Sequence, residues 1–316
     1  MLRYIAGRIV LMIPILFGVS IVAFGLIRLV PGDPLTAIIG PGTRFSQEQL
    51  DNIRASYGLN DSVVVQYVKW IGLVLQGDLG ESLRTHRPLT TELGLRLPVT
   101  LELTLWAGLI GTIPAVTLGV LAALRRNSWF DVTATIGTLI GTSVPGFLLA
   151  VVLVLIFAVQ LRWLPPLGYD RWSDGVGTHL KTMVLPSLCL GLPLAATLMR
   201  FTRSSVLETI GQDYVRTARA KGMSQRAVIF RHVLPNASIP IITVIGIQTA
   251  SLLGGTVIIE QIFGLPGVGR YIYDAISNRD YPVVQGVTLV IAVIFVLVSL
   301  IVDLLYVVID PRLRTT

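Results

Sequence analysis

The stretch Asp213–Pro235 reads DYVRTARAKGMSQRAVIFRHVLP, a basic and polar segment set between two strongly apolar runs. Leu207, Ile210, Tyr214 and Ala218 recur at spacings of three and four, which places them on one helical face. Gly222 suits a left-handed helix stop, and Ser224 suits the N-cap of a second short helix, its side chain accepting from a free backbone N–H. In isolation the pattern fits a helix-turn-helix that reads DNA. Its neighbours exclude that reading, because runs long enough to cross a bilayer begin within a few residues on either side. A structured, positive loop at a membrane face needs a partner other than nucleic acid.

The composition supports a membrane protein. Of 316 residues, 53% are hydrophobic and only 14% are charged, whereas soluble domains carry about 25% charged residues. Mean hydropathy is +0.75, so lipid rather than a water-soluble core must solvate the excess apolar surface. The net charge of +7 fits basic loops on the cytoplasmic side. Cys189 stands alone and excludes an internal disulfide. His86, His179 and His232 are scattered, without metal-ligand spacing.

Six segments reach the roughly 20 apolar residues that a spanning helix needs. They are about Ile9–Leu29, Val99–Leu124, Val132–Leu161, Met183–Phe201, Ile239–Ile259 and Val283–Ile309. The first is too long for a signal-peptide core and no small-residue cleavage site follows it, so it reads as an uncleaved anchor. With the N-terminus inside, thirteen Lys and Arg fall in inner short loops, Arg125, Arg126, Arg203, Arg216, Arg219 and Lys221 among them. Five fall in outer ones: Arg162, Arg171, Lys181, Arg270 and Arg279. This asymmetry predicts both termini, and the Asp213–Pro235 element, in the cytoplasm. Pro114, Pro145-Gly146, Pro186, Pro193 and Gly254-Gly255 interrupt the spans and predict broken, path-lining helices.

Residues 31–96 form the one sizeable extramembrane piece, an extracytoplasmic insertion under this topology. Ser46-x-x-Gln49 is a capping box, Leu50, Ile53 and Tyr57 make an apolar face, and Gly58 supplies a stop. A second helix is predicted from about Ser62 to Gln76. Two short helices bury too little surface to fold alone, so the insertion must pack on the bundle, a second subunit or an external partner.

Ionisable groups at membrane depth default to function. Glu102 and Glu260 lie near the outer ends of their spans, where structural pairing accounts for them. Asp303 lies about two turns from the inner end of the last span. Gln248 and Ser251 are neutral candidates for the lining of a path, together with Asp303. An intramembrane enzyme is disfavoured: Thr142-Ser143 has no His or Lys at membrane depth as a base, H-E-x-x-H is absent, and no second aspartate faces Asp303. A channel or secondary transporter is disfavoured by six spans without an inverted repeat.

The segment resembles the cytoplasmic loop of ABC-importer permeases, whose signature is E-A-A-x3-G-x9-I-x-L-P. Gly222 and Leu234-Pro235 match it. Arg216, Thr217 and Ala218 stand in the E-A-A places, and His232 stands in the Ile place. These departures are similar to those of the dipeptide, oligopeptide and nickel branch, in which a YVRTARAKG-like string is usual. Further marks of that branch follow in order: LVPGDP (29–34), YGLNDSVVVQYVKWI (57–71), QGDLGES (76–82), VIIEQIFGLPGVGR (257–270), NRDYPVVQ (278–285) and DPRLR (310–314).

The resemblance implies an all-α membrane fold with six transmembrane helices, forming one permease domain over residues 1–316 in a bacterial inner membrane. It implies a coupling loop at 202–238 whose short helix sits in a groove of an ATPase subunit. Gln212, Asp213, Tyr214, Val215, Arg216, Thr217, Ala218, Arg219, Ala220, Lys221, Gly222 and Met223 carry that role, with Tyr214 and Ala218 as its apolar anchor. The partners implied are a second, similar permease subunit, two cytoplasmic ATPases, an extracytoplasmic solute-binding protein and membrane lipid. No G-x-x-x-x-G-K-[ST] loop occurs in the chain, so no cofactor is expected on it, and ATP and Mg belong on the partner ATPases. Cargo in the branch includes dipeptides, longer peptides, glutathione and nickel; peptide is the expectation here.

Overall fold

The computed structural model describes the backbone of residues 2–29 and 60–309, and the side chains of residues 7–25, 60–302 and 304. The capping box at Ser46, the LVPGDP and DPRLR motifs and the side chain of Asp303 lie outside the described residues. Apart from an isolated bridge between Glu81 and Pro88, the regular elements among the described residues are helices. A helix satisfies all its backbone groups within one segment, as hydrocarbon surroundings require. In chain order they are α1 (Leu2–Leu29), α2 (Val63–Leu75), α3 (Leu89–Leu124), α4 (Trp129–Ser143), α5 (Gly146–Gln160), α6 (Val176–Ile210), α7 (Asp213–Ala220), α8 (Gln225–Phe263), α9 (Val268–Ser277) and α10 (Tyr281–Ile309).

Five of these, α1, α3, α6, α8 and α10, are long and apolar enough to cross a membrane. The pair α4 and α5 qualifies as a sixth span only when taken together, because the two are bent by 106°. The third span expected from Val132 to Leu161, with an interruption at Pro145-Gly146, is therefore broken there. Pro145 supplies no N–H and pushes the residue before it out of the helical region; Val144 is extended at φ −84, ψ 120. The remaining interruptions behave differently. Pro114 lies inside α3, Pro186 and Pro193 inside α6, and Gly254-Gly255 inside α8, all without a break.

The centre of the bundle is the contact of α3 with α6. Ala107, Gly111, Ala115 and Gly119 recur every fourth residue, so they form a small-residue stripe on one face of α3. That stripe lets the helices touch. A Cβ on Gly111 would stand 2.5 Å from Leu194 Cδ2 and 2.9 Å from the Gly191 carbonyl oxygen, and one on Gly119 would stand 2.7 Å from Thr202 Cβ. Small residues at membrane helix contacts gain van der Waals packing where lipid offers no hydrophobic drive.

Two apolar clusters flank this contact. One joins Leu103, Leu185, Leu190, Phe263 and Leu265; the other joins Leu198, Val206, Val215, Val228 and Val233. The outward faces carry exposed apolar side chains such as Ile136, Leu139, Val151 and Phe295, as a lipid-solvated bundle should.

The bundle has two distinct ends. The loop end gathers the α3–α4 turn, α7 and the start of α8. The insertion end gathers residues 79–102, 162–179 and 264–280. The part of the insertion that is described packs on its own bundle. Ser82 Oγ donates to Asp280 Oδ2 at 2.5 Å, Leu83 N–H donates to Asp280 Oδ1 at 3.1 Å, and Arg84 bonds Asn278. The helix expected from Ser62 to Gln76 is α2, with Ser62 Oγ accepting from Val65 N–H at 3.4 Å.

Candidate functional site

At the loop end α6 stops at Ile210, and the chain turns through Gly211 and an extended Gln212 (φ −71, ψ 148) before α7 begins. This break divides the single apolar face expected from Leu207 to Ala218. Leu207 and Ile210 belong to α6, and on α7 the residues that point inward are Val215, fully buried, and Ala218. Of the pair expected as an apolar anchor toward a partner, Tyr214 is 43% exposed, whereas Ala218 is turned into the bundle. The two-residue turn rotates α7 out of the phase of α6, and no sequence period carries across it.

α7 is polar everywhere else. Asp213 occupies its first turn and Arg219 its last, each opposite in sign to the nearby end of the helix dipole. The Asp213 and Arg216 side chains are 95% and 73% exposed, and their 3.4 Å contact contributes little at such exposure. Val215 and Ala218 thus root the helix in the cluster of Val206, Val228 and Val233, while Tyr214, Arg216 and Asp213 face outward.

The C-terminal turn is closed by backbone bonds from Gly222 N–H to the Arg219 carbonyl at 2.9 Å and from Met223 N–H to the Ala218 carbonyl at 3.4 Å. Gly222 has φ +77, and no atom lies within 4 Å of where a Cβ would stand. Its requirement for glycine is therefore one of backbone conformation alone. Ser224 Oγ accepts from Ala227 N–H at 3.4 Å, but the expected second short helix is the first turn of the long α8. A π turn at Ile229–Val233 carries the helix into Leu234, which accommodates the donor missing at Pro235.

Two contacts tie this end together that sequence reading did not single out. Arg203 on α6 grips Asp131 at the start of α4 with both arms, Nε to Oδ1 at 2.5 Å and Nη2 to Oδ2 at 2.8 Å. Asp131 Oδ2 also accepts from Asn127 N–H at 3.0 Å. Ser205 Oγ donates to the Ala237 carbonyl at 3.0 Å, joining α6 to α8. The available signal was Ser128-x-x-Asp131, a helix-start pattern; its partner, 72 residues away, carried none.

Midway along the bundle, the break at Val144–Pro145 opens a cavity of about 490 Å³ between α5, α6 and α8. Gln248 and Ser251 line it, with Thr197, Cys189, Pro193 and Phe147. Ser251 Oγ is engaged by the Ile247 carbonyl at 3.0 Å. The lining contains no Asp, Glu, Lys, Arg or His, so it offers amide and hydroxyl hydrogen bonding within apolar walls.

Glu102 and Glu260 stand away from this cavity. Glu102 Oε1 lies 2.6 Å from His179 Nε2 and accepts from Trp106 Nε1 at 3.2 Å, while its Oε2 accepts from Trp172 Nε1 at 3.3 Å. His179 Nδ1 lies 2.6 Å from the Asp170 carbonyl oxygen. Glu260 is fully buried; its Oε1 accepts from Thr100 Oγ1 at 2.7 Å and its Oε2 from Arg270 N–H at 2.9 Å. Thr100 Oγ1 in turn accepts from Val268 N–H at 2.8 Å. Glu260 thereby fastens the start of α9 to α3 and α8. Tyr271 on α9 lies beneath the Arg96 guanidinium at 4.4 Å. Burial, and then the Glu92 and Asp280 carboxylates, push its phenol up to about 12.

Residues 115–315 match the family described as binding-protein-dependent transport system inner membrane component, and residues 1–104 match its N-terminal companion. A dipeptide transport system permease of Alkalihalophilus pseudofirmus is 42% identical over 99% of this chain and 100% of its own length. A glutathione transport system permease of Escherichia coli is 38% identical over 99% of each chain. Among solved structures, an inward-facing methionine ABC transporter shares 20% identity with a TM-score of 0.55, over 70% of this chain and 97% of that one. That likeness is one of fold.

Proposed function

This chain belongs to the binding-protein-dependent transport system inner membrane components, and from that membership we propose that it forms, with a second permease subunit, the path of an ATP-driven importer for di- and oligopeptides. The observation that carries the cargo is identity of 42% along the full chain to a dipeptide permease. The glutathione permease at 38% identity supports a second reading, and the two are chemically close because glutathione is itself a short peptide.

In this reading the loop end faces the cytoplasm, with α7 and its flanks, Gln212 to Met223, seated on an ATPase subunit. The supporting observation is a helix rooted by two buried residues while its aromatic and charged side chains stand free, the residue types in which interface energy concentrates. ATP and Mg reside on two partner ATPases, and an extracytoplasmic binding protein delivers the solute at the insertion end. ATPase closure displaces α7, and α6, unbroken over 35 residues, carries the displacement along the bundle. The Arg203–Asp131 pair passes it to α4, and the bend at Pro145 yields, opening the cavity lined by Gln248 and Ser251 to one side or the other.

Uptake assays in a deletion strain, with labelled dipeptide, glutathione and nickel run in parallel, test the cargo. Dipeptide uptake restored by this chain is the expected result. Restoration of nickel or glutathione uptake without dipeptide overturns the peptide assignment.

A further inference from the structure

Among the described residues, nothing in the bundle covers the outward face of the apolar helix α2. At 13 residues and about 1.5 Å per residue it is near 20 Å long, too short to cross the hydrocarbon. Its inner side rests on α1. The Tyr67 ring meets Phe24 edge-on at 5.2 Å and Phe17 at 6.3 Å, Trp70 lies 5.7 Å from Phe24, and Tyr67 Oη shares a 2.7 Å hydrogen bond with Ser20 Oγ. Phe17, Ser20 and Phe24 all fall within Gly7–Gly25, the apolar stretch of α1 that qualifies as a span. A helix that packs on those residues sits at the depth of the membrane rather than above it.

We propose that α2 is an interfacial membrane helix, embedded in the same leaflet as Ser20 with lipid acyl chains against its free face. No residue of α2 is buried. Val64, Val68 and Leu75, at spacings of four and seven, form one stripe away from α1 and are 71%, 59% and 82% exposed. The polar groups keep to one edge and are tied back to the helix start. Lys69 Nζ lies 2.6 Å from Asp61 Oδ2, and Gln66 Nε2 donates to the Asp61 carbonyl at 2.8 Å. An apolar face with one charged edge is the signature of helices lying in the membrane plane, and a lysine there keeps its stem on lipid and its ammonium in water.

Lipid is favoured over a protein partner because the stripe continues onto α1, where Ile13, Phe17 and Ile21 are also exposed. A protein-binding patch on a soluble face carries a polar rim, and Val64 and Val68 run into an apolar helix surface instead. The sidedness proposed above makes this the outer leaflet, but the lipid contact does not depend on it. The insertion is then held twice, by α2 in lipid and by Ser82 and Leu83 on Asp280, which gives the insertion end a fixed floor.

Site-directed spin labelling of the assembled transporter in nanodiscs tests this. Nitroxides are placed at Val64→Cys and Val68→Cys in an otherwise cysteine-free background, with Ile13→Cys as the lipid reference and Ser173→Cys as the aqueous one. The expected result is relaxation by oxygen with loss of relaxation by a water-soluble nickel chelate, matching Ile13. Relaxation by the chelate, matching Ser173, overturns the proposal. Protection from both reagents also overturns it and marks a protein partner. If one variant fails to assemble, Leu75→Cys on the same stripe must give the same reading.

Discussion

The two ends of the bundle treat charge in opposite ways. At the loop end Asp213, Arg216 and Tyr214 project from a short helix held by two apolar side chains. At the insertion end Glu260 and His179 are fully buried, each with its polar atoms engaged by groups from another element. An exposed charge is available to a partner and costs little to move. A buried carboxylate left without its donors costs several kcal/mol, so its surroundings are held in one arrangement. In the proposed function the loop end is the one touched and displaced, and the insertion end stays fixed while it is.

The largest effect is expected at Glu260. Replacing it with alanine strips the partner from Thr100 Oγ1 and from the N–H of Arg270, and should cost about 3 kcal/mol. Thermal unfolding of the purified transporter should show a large drop, with loss of assembled complex. Gly267→Ala should act in the same direction, because its Cβ would run into the Glu260 carboxylate. A Glu260→Ala protein of unchanged stability would remove the fixed end from the account.

Gly222 comes next. A β-branched residue in its left-handed conformation costs about 1–2 kcal/mol, and open space around the position leaves no steric term. Gly222→Val should therefore impair ATP-dependent uptake while Gly222→Asn, which tolerates that conformation, retains most of it. Equal loss in both variants would mean that something other than backbone geometry requires glycine here.

A smaller effect is expected at Asp131 and Arg203. A double-mutant cycle with Asp131→Asn and Arg203→Lys, read by thermal unfolding, should return a coupling of about 1 kcal/mol or more. Uptake should fall further than stability does, because the pair joins α4 to α6. The smallest effect on stability belongs to Arg216. Its alanine variant should change unfolding by less than about 0.5 kcal/mol yet weaken retention of the ATPase subunit on the purified permease.

The architecture was legible wherever one local rule decided it. Gly222 and Ser224 follow from single-residue backbone preferences, and the apolar run lengths placed the spans. The single face drawn through Leu207, Ile210, Tyr214 and Ala218 does not hold, because periodicity was carried through Gly211-Gln212, where the chain leaves the helix. Pro145 was read as an interruption of the third span and does break it, whereas the same reading fails for other prolines, since a proline inside a membrane helix bends it in some contexts and leaves it continuous in others. Pro114, Pro186 and Pro193 stay within unbroken helices. The Asp131–Arg203 and Glu260–Thr100 contacts join residues 72 and 160 positions apart, and neither partner announces the other. Gln248 and Ser251 were chosen as neutral polar residues in an apolar helix, and they line the cavity at the Pro145 break.

Whether α7 is the point at which ATPase motion enters this chain can be read from cross-linking. A cysteine at Arg216, with Cys189 replaced by serine, is treated with a short bifunctional reagent in the assembled transporter in membranes, with and without ATP. The expected result is a cross-link to an ATPase subunit whose yield changes on ATP addition. A cysteine at that position that reacts freely with a water-soluble maleimide and forms no link to the ATPase in either condition would contradict it.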